Sequence, residues 1–268
     1  MSRLGMIGVG NMGGAILRGM LNAHYIKPSQ LCVYDANLDK LEVMSREIPD
    51  ITYLDNALDL VRECDMILFA VKPYVLGPLL EQVSSALSGK AVISIAAGWT
   101  THMLEEAIAP HGGTYLRVMP NTPAMVGEGM TALCEEYTFS EEDFAFAKGI
   151  FEALGRTVTL PERLFDGVIA ISGSSPAYVY MMIEAMAQSG VSYGIPMDTA
   201  LEMAAQSVLG SAVMVLSSGE HPSVLRDAVC SPAGTTIEAV KVLEQSGFKA
   251  AVMNAMDACA EKSRSMAK

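Results

Sequence analysis

The stretch with the clearest chemical purpose opens the chain. Gly8-Val9-Gly10-Asn11-Met12-Gly13 follows the short apolar run Arg3-Leu4-Gly5-Met6-Ile7 and leads into Gly14-Ala15-Ile16-Leu17-Arg18-Gly19-Met20-Leu21, a helical pattern. Strand, G-x-G-x-x-G and helix are the context that a dinucleotide-binding turn requires. Gly8 permits the tight turn, Gly10 lets the backbone approach a pyrophosphate, and Gly13 lets the helix pack on the strand. The helix start, with Asn11 and Met12, offers unpaired N–H groups and the positive end of its dipole to phosphates. A glycine-rich turn without a ligand is the plainer alternative. Against it, the motif starts within the first ten residues, and Asp35 ends the strand pattern Leu31-Cys32-Val33-Tyr34 about 20 residues past the last glycine, where such sites carry a ribose-binding acid.

Further candidates fall at the ends of other apolar runs. Met66–Val71 ends in Lys72-Pro73, and Ala91–Ile95 ends in Ala96-Ala97-Gly98. Val71 and Ala97 are small enough for a cofactor to lie against them. Lys72 either neutralises phosphate and touches the ribose or is a solvated lysine. Asn56 either bonds the adenosine side or caps the helix after it. Tyr115–Met119 ends in Pro120-Asn121-Thr122-Pro123, which either places Asn121 beside the nicotinamide or forms a rigid turn. Asp35 taken alone favours NAD over NADP, because a carboxylate accepts from a ribose 2′-OH and repels a 2′-phosphate, and no arginine follows it closely.

Two later stretches read either as ordinary capped helix starts, Ser175 and Pro176 serving the first, or as binding loops. Ser172-Gly173-Ser174-Ser175-Pro176 interrupts an apolar helical pattern, Glu162 to Ile171 before it and Ala177 to Ser189 after it, which predicts a loop facing something polar. Ser231-Pro232-Ala233-Gly234-Thr235-Thr236 leads straight into a helix; such a start suits a carboxylate, and the two threonines add hydroxyls.

The elements that must hold these residues read as an α/β fold. Strand patterns at 3–7, 31–34, 51–54, 66–71, 91–95, 115–119, 131–134 and 157–160 alternate with helical patterns at 38–46, 57–63, 78–87 and 141–154. Such alternation predicts a Rossmann-type doubly wound parallel sheet whose ligand lies beyond the carboxyl ends of the strands. The loops at Gly8–Gly13, Asp35, Val71-Lys72 and Ala96–Gly98 then share one rim. After Leu160 the strand signals stop. Residues 1–160 are expected to form the dinucleotide-binding domain, and residues 161–268 an all-α domain for substrate binding and dimerisation.

Composition narrows the classes of partner. The 268 residues carry a formal net charge of −12, which argues against a nucleic-acid or anionic-membrane partner. The chain is 51% hydrophobic and only 18% charged, and it contains no unbroken apolar run of 18 residues. A transmembrane helix is not expected, and surplus apolar surface points to a subunit interface. The first apolar stretch is broken by the glycine loop and does not resemble a signal peptide. Five cysteines without a C-x-x-C pair read as cytoplasmic free thiols, and four scattered histidines show no metal-ligand spacing.

Taken together, Gly8–Gly13, Val71-Lys72-Pro73, Ser94–Gly98, Met119–Pro123, Ser172–Tyr178 and Asp227–Ala239 resemble pyrroline-5-carboxylate reductases, in order and across nearly the whole chain. The resemblance implies reduction of the cyclic imine 1-pyrroline-5-carboxylate to L-proline by NAD(P)H, usually NADPH, as the last step of proline biosynthesis. It implies an active site between one subunit's cofactor and the partner's helical domain, in homo-oligomers built from dimers, decamers included. By carry-over Asn56, Val71, Lys72 and Ala97 line the cofactor, and Thr235 and Thr236 hold the substrate, with Ser174 a further candidate. Two departures stand out. The chain has Ala233-Gly234 where many members have two glycines, and Asp35 where the family often has a small hydroxyl or neutral residue. A β-hydroxyacid dehydrogenase needs a lysine catalyst in its helical half, and residues 161–240 contain none. A non-catalytic dinucleotide-binding regulator would have no use for the 172–178 and 229–239 loops.

Overall fold

A computed structural model describes residues 3–266. The first half alternates as expected: β1 (Leu4–Ile7), α1 (Asn11–Asn22), β2 (Leu31–Tyr34), α2 (Leu38–Glu47), β3 (Thr52–Tyr53), α3 (Ala57–Glu63), β4 (Met66–Phe69), α4 (Pro73–Val83), β5 (Ala91–Ser94), α5 (Thr101–Ile108) and β6 (Thr114–Met119). β7 (Gly129–Cys134), α6 (Glu141–Glu152) and β8 (Gly155–Leu160) complete an eight-stranded sheet in the order β3-β2-β1-β4-β5-β6-β7-β8. Alternate residues of β1 feed the two faces of the sheet. Leu4 and Met6 join a core with Ile16, Leu17 and Met20 of α1, while Ile7 joins the opposite core with Leu60 of α3 and Leu80 of α4.

The sheet is not parallel throughout. β6 and β7 pair antiparallel, and β7 and β8 then run parallel to each other. The link from Met119 to Gly129 holds only the 3₁₀ turn Thr122–Val126. It is too short for the helical crossover that a parallel neighbour requires, so the chain reverses. Only the ends of the first six strands can therefore share the ligand-facing rim.

Two helices differ from the sequence reading. α4 starts at Pro73, with Pro at its first position, and Pro78 lies inside it. The bond that Pro78 cannot make falls on the carbonyl of Tyr74, a residue 80% exposed and open to water. α5 has no counterpart in that reading. Thr100 caps it by accepting from Met103 N–H at 3.2 Å, and Leu104 and Ile108 are buried beneath it.

Past β8 come α7 (Phe165–Val168), a π-helical turn (Ile169–Gly173), α8 (Ser175–Ser192), α9 (Met197–Ser218), α10 (Pro222–Val229), α11 (Thr235–Gln245) and α12 (Phe248–Met266). The interruption at 172–176 is thus a widened helical turn and not a loop. By compactness the chain divides after Ser174, with residues 259–266 belonging to the first unit. Phe165 and Val168 share a core with Met119, Ala132 and Cys134 of the sheet, which ties α7 to it.

The second unit, residues 175–258, buries few side chains by itself. Ala187, Ala200 and Ala204 are buried in α8 and α9, whereas Tyr180, Met181, Met203, Leu209, Val213 and Leu216 are exposed. By length and composition alone α9 is apolar enough to cross a membrane.

Candidate active site

The rim of the sheet holds a cleft of about 1040 Å³. Gly8, Gly10, Asn11 and Met12 line it from the first loop, and Asp35, Val71, Lys72 and Ala97 from the next three strand ends. Main-chain bonds stitch these loops together. Gly8 N–H donates to Tyr34 C=O at 2.8 Å, and Ala70 N–H to Ile7 C=O at 2.8 Å. Trp99 donates its indole N–H to Pro73 C=O at 2.9 Å, joining the loop after β5 to the start of α4.

The three glycines serve three separate purposes. Gly8 has φ +97°, and a Cβ there would lie 2.6 Å from Ala70 O. A Cβ on Gly13 would lie 2.0 Å from Gly8 O, so this glycine is packed against the turn and does not face the cleft. A Cβ on Gly10 would meet no described atom within 4 Å. The Gly10 position is a cradle that a methyl group would partly fill. α1 starts beside it with Gly10 as N-cap, no side-chain capping bond and no acidic residue in its first turn. Its free N–H groups and open space fit the pyrophosphate of a dinucleotide.

Asp35 lines the cleft, but both of its oxygens are engaged. Oδ2 accepts from Val9 N–H at 2.8 Å and Oδ1 from Asn37 N–H at 2.8 Å. The carboxylate braces the glycine loop against the end of β2.

Two candidates on the nucleotide side are occupied with the fold itself. Asn56 accepts from Asp59 N–H at 2.8 Å as the cap of α3 and does not line the cleft. Asn121 is 8% exposed; its Oδ1 accepts from Met130 N–H at 2.9 Å and its Nδ2 donates to Ser172 C=O at 3.1 Å. Its neighbours Pro120 and Thr122 reach the cleft in its place. Ser174 closes the π-helical turn through N–H to Ile169 C=O at 2.8 Å, and its hydroxyl accepts from the Cys259 thiol at 3.3 Å.

Cleft residues that the sequence reading missed include Tyr34, Lys40, Tyr74, Gln82 and Ile95. Lys40 stands five positions after Asp35 in the first turn of α2, a spacing that could have pointed to it.

In the second unit, Thr235 and Thr236 open α11 behind Gly234, which caps the helix without a side-chain bond. Ala233 holds φ +57°. Gly234 N–H donates to Ser231 C=O at 3.0 Å, and a Cβ on Gly234 would collide with Ser231 Oγ at 2.2 Å. The result is a tight bend followed by uncapped helical N–H groups and two threonine hydroxyls, a receptor suited to a carboxylate.

Comparison with known proteins gives separate matches for the two parts of the chain. Residues 3–98 match a family model described as NADP oxidoreductase, coenzyme F420-dependent, and residues 162–266 match one described as pyrroline-5-carboxylate reductase dimerisation. Pyrroline-5-carboxylate reductase of Escherichia coli K12 is 44% identical over 99% of this chain and 98% of its own. Among solved structures, the Plasmodium falciparum pyrroline carboxylate reductase with NADP bound is 35% identical with a TM-score of 0.89, covering 100% of this chain and 98% of its own. A pyrroline-5-carboxylate reductase from Coxiella burnetii is 31% identical with a TM-score of 0.91, covering 100% and 99%. By near full-length identity of this order, the chain belongs to the pyrroline-5-carboxylate reductase family.

Proposed function

We propose that this protein reduces 1-pyrroline-5-carboxylate to L-proline with NADPH, the closing step of proline biosynthesis. The observation that carries the reading is full-length similarity to reductases of that name in a chain that keeps both the open cradle at Gly10 and the uncapped bend at Ala233–Thr236. NADPH, when bound, supplies the hydride that the imine carbon accepts; the ring nitrogen of the protonated imine becomes the amine of proline. The protonated imine is already electrophilic, so the protein's task is orientation at near-attack distance. The N–H groups of Thr235 and Thr236 take the carboxylate, and the Thr236 hydroxyl bonds the ring nitrogen.

The choice of NADPH over NADH is supported by the NADP found in the Plasmodium relative. The exposed apolar side chains of α8 and α9 are read as the interface of a cytoplasmic homo-oligomer built from dimers, up to a decamer, and not as membrane-facing; the dimerisation family model over 162–266 supports that reading. Oxidation of NADPH followed at 340 nm with 1-pyrroline-5-carboxylate tests the activity. Proline as product supports it; no turnover with either nicotinamide cofactor overturns it. Size-exclusion chromatography with light scattering tests the assembly, and a monomer at micromolar concentration overturns it.

A further inference from the structure

The end of α12 lies against three elements around the cleft. Cys259, Ser263 and Met266 stand at i, i+4 and i+7, one stripe along that helix. The Cys259 thiol donates to Ser174 Oγ at 3.3 Å, where the π-helical turn closes. One turn on, the buried Ser263 donates its hydroxyl to Asp166 Oδ1 of α7 at 2.6 Å. Arg264 Nε stands 3.5 Å from Asp166 Oδ2, so one carboxylate holds two successive residues of the helix. Met266, in the last turn, reaches Gly98. That glycine is buried with φ +81°, and a Cβ on it would lie 3.4 Å from Met266 O and 3.5 Å from Met266 Cβ.

Gly98 follows Ala96 and Ala97, which line the cleft at the end of β5. The strand order decides which half of a dinucleotide passes there. β2 and β5 lie on opposite sides of β1. β1 carries the pyrophosphate loop and the end of β2 takes the adenosine ribose, so the end of β5 falls to the nicotinamide half. Two alanines and a glycine have almost no side chain with which to fix a loop, so its place is set by what touches it. Trp99 ties it to Pro73 C=O at 2.9 Å. Ala97 packs against the core that contains Phe165, and Met266 closes on Gly98. α7 serves both of these last supports, because Asp166, next to Phe165, carries Ser263.

We propose that Ser263 is a positioning residue for hydride transfer: its bond to Asp166 sets the end of α12 on Gly98 and so holds Ala97 at the nicotinamide half of the cofactor. The inference rests on the reductase reading and adds to it a residue that does not line the cleft. Helix ends fray, and a hydroxyl bonded to an ionised carboxylate is a charge-assisted contact able to fix one.

The test compares the full-length wild type with Ser263→Ala, Asp166→Ala, the double variant and Ser263→Thr. NADPH oxidation with 1-pyrroline-5-carboxylate, calorimetric affinity for the half-cofactor 2′,5′-ADP, and light scattering are measured on each. Ser263→Ala and Asp166→Ala are each expected to lower kcat about tenfold, the size of a hydrogen bond to a charged group, with KM for the imine near its wild-type value. Affinity for 2′,5′-ADP should hold, because the adenosine half lies across β1 from the disturbed loop. The double variant should lose no more than either single one, as two partners in one bond do, and Ser263→Thr should keep the wild-type kcat. A chain ended at Ser265 keeps the bond to Asp166 but takes Met266 off Gly98, and it should show the same fall in kcat. Wild-type kcat in that shortened chain overturns the proposal even where the alanine variants do not fold. Additive losses, weakened 2′,5′-ADP binding, or a fall in activity that follows a change of oligomeric state also overturn it. No turnover by the wild type would bring down the reductase reading itself.

Discussion

The side-chain amide of Asn121 supplies the hydrogen bond that Pro176 cannot. In an unbroken α-helix the carbonyl of Ser172 would accept from the N–H of residue 176, and a proline has none. Here that carbonyl accepts from Asn121 Nδ2 at 3.1 Å, while Asn121 Oδ1 takes the N–H of Met130 at 2.9 Å. One buried side chain thus ties the loop after β6 to the start of β7 and to the π-helical turn. Asn121→Ala strands a carbonyl and an N–H and is expected to cost about 2–4 kcal/mol. Urea denaturation at fixed protomer concentration measures it, and an unchanged midpoint would show that the two groups find other partners.

Gly10 and Gly13 separate binding from folding. Gly10→Ala adds a methyl group to open space, so the melting temperature should hold while NADPH affinity falls by tenfold or more, as the pyrophosphate loses its approach. Gly13→Ala drives a Cβ to 2.0 Å from Gly8 O, and the melting temperature itself should fall. Equal thermal losses in the two variants would contradict the assignment of separate purposes.

Ala233 carries backbone strain at φ +57°, where a Cβ costs about 1–2 kcal/mol. Ala233→Gly removes that cost but adds about 0.4–1 kcal/mol of unfolded-state entropy. The strain term is the larger, so the variant should be more stable by about 0.5–1 kcal/mol in denaturant titration. A loss of stability would mean that the methyl group packs usefully.

Acid should loosen the junction between β7 and α7. The Glu136 carboxylate accepts from the Cys134 thiol at 3.1 Å and from Glu162 N–H at 2.8 Å, and these bonds hold its carboxyl below the usual carboxylate range. A depressed folded value means that the stabilisation is present above the ordinary glutamate range and is lost as pH falls through the folded value. Glu136→Gln should therefore flatten the part of the stability curve below about pH 4.5, as read by thermal melts across pH. An acid limb as steep as that of the wild type would remove Glu136 from it. Burial, the larger effect, pushes the Cys134 thiol up to about 12.

Much of this architecture was legible in the chain. The glycine loop and the apolar strand runs showed the Rossmann order because buried parallel strands leave a continuous hydrophobic signature. The reversal at β7 was not read from the alternation of elements, although the 120–128 link is too short for a helical crossover. Asn121 read more readily as a cofactor contact than as part of a rigid turn; only coordinates reveal that its amide is spent on Ser172 and Met130. Lys40 was overlooked because a lysine in the first turn of an exposed helix looks like any solvated charge unless its spacing from Asp35 is weighed.

Thr236 allows the sharpest separation of chemistry from stability. It is half-buried behind an uncapped helix start, and its hydroxyl makes no hydrogen bond with a described residue. Valine matches it in shape, so the folded state loses little when the hydroxyl goes. A bond from that hydroxyl to the imine nitrogen would be lost with it. An interaction of about 1.5 kcal/mol corresponds to a little over tenfold in rate or affinity. Thr236→Val should therefore raise KM for 1-pyrroline-5-carboxylate, lower kcat, and leave the melting temperature and NADPH affinity where they were. The opposite pattern, wild-type kinetics with a lowered melting temperature, would make Thr236 a structural residue and remove its hydroxyl as the partner of the ring nitrogen.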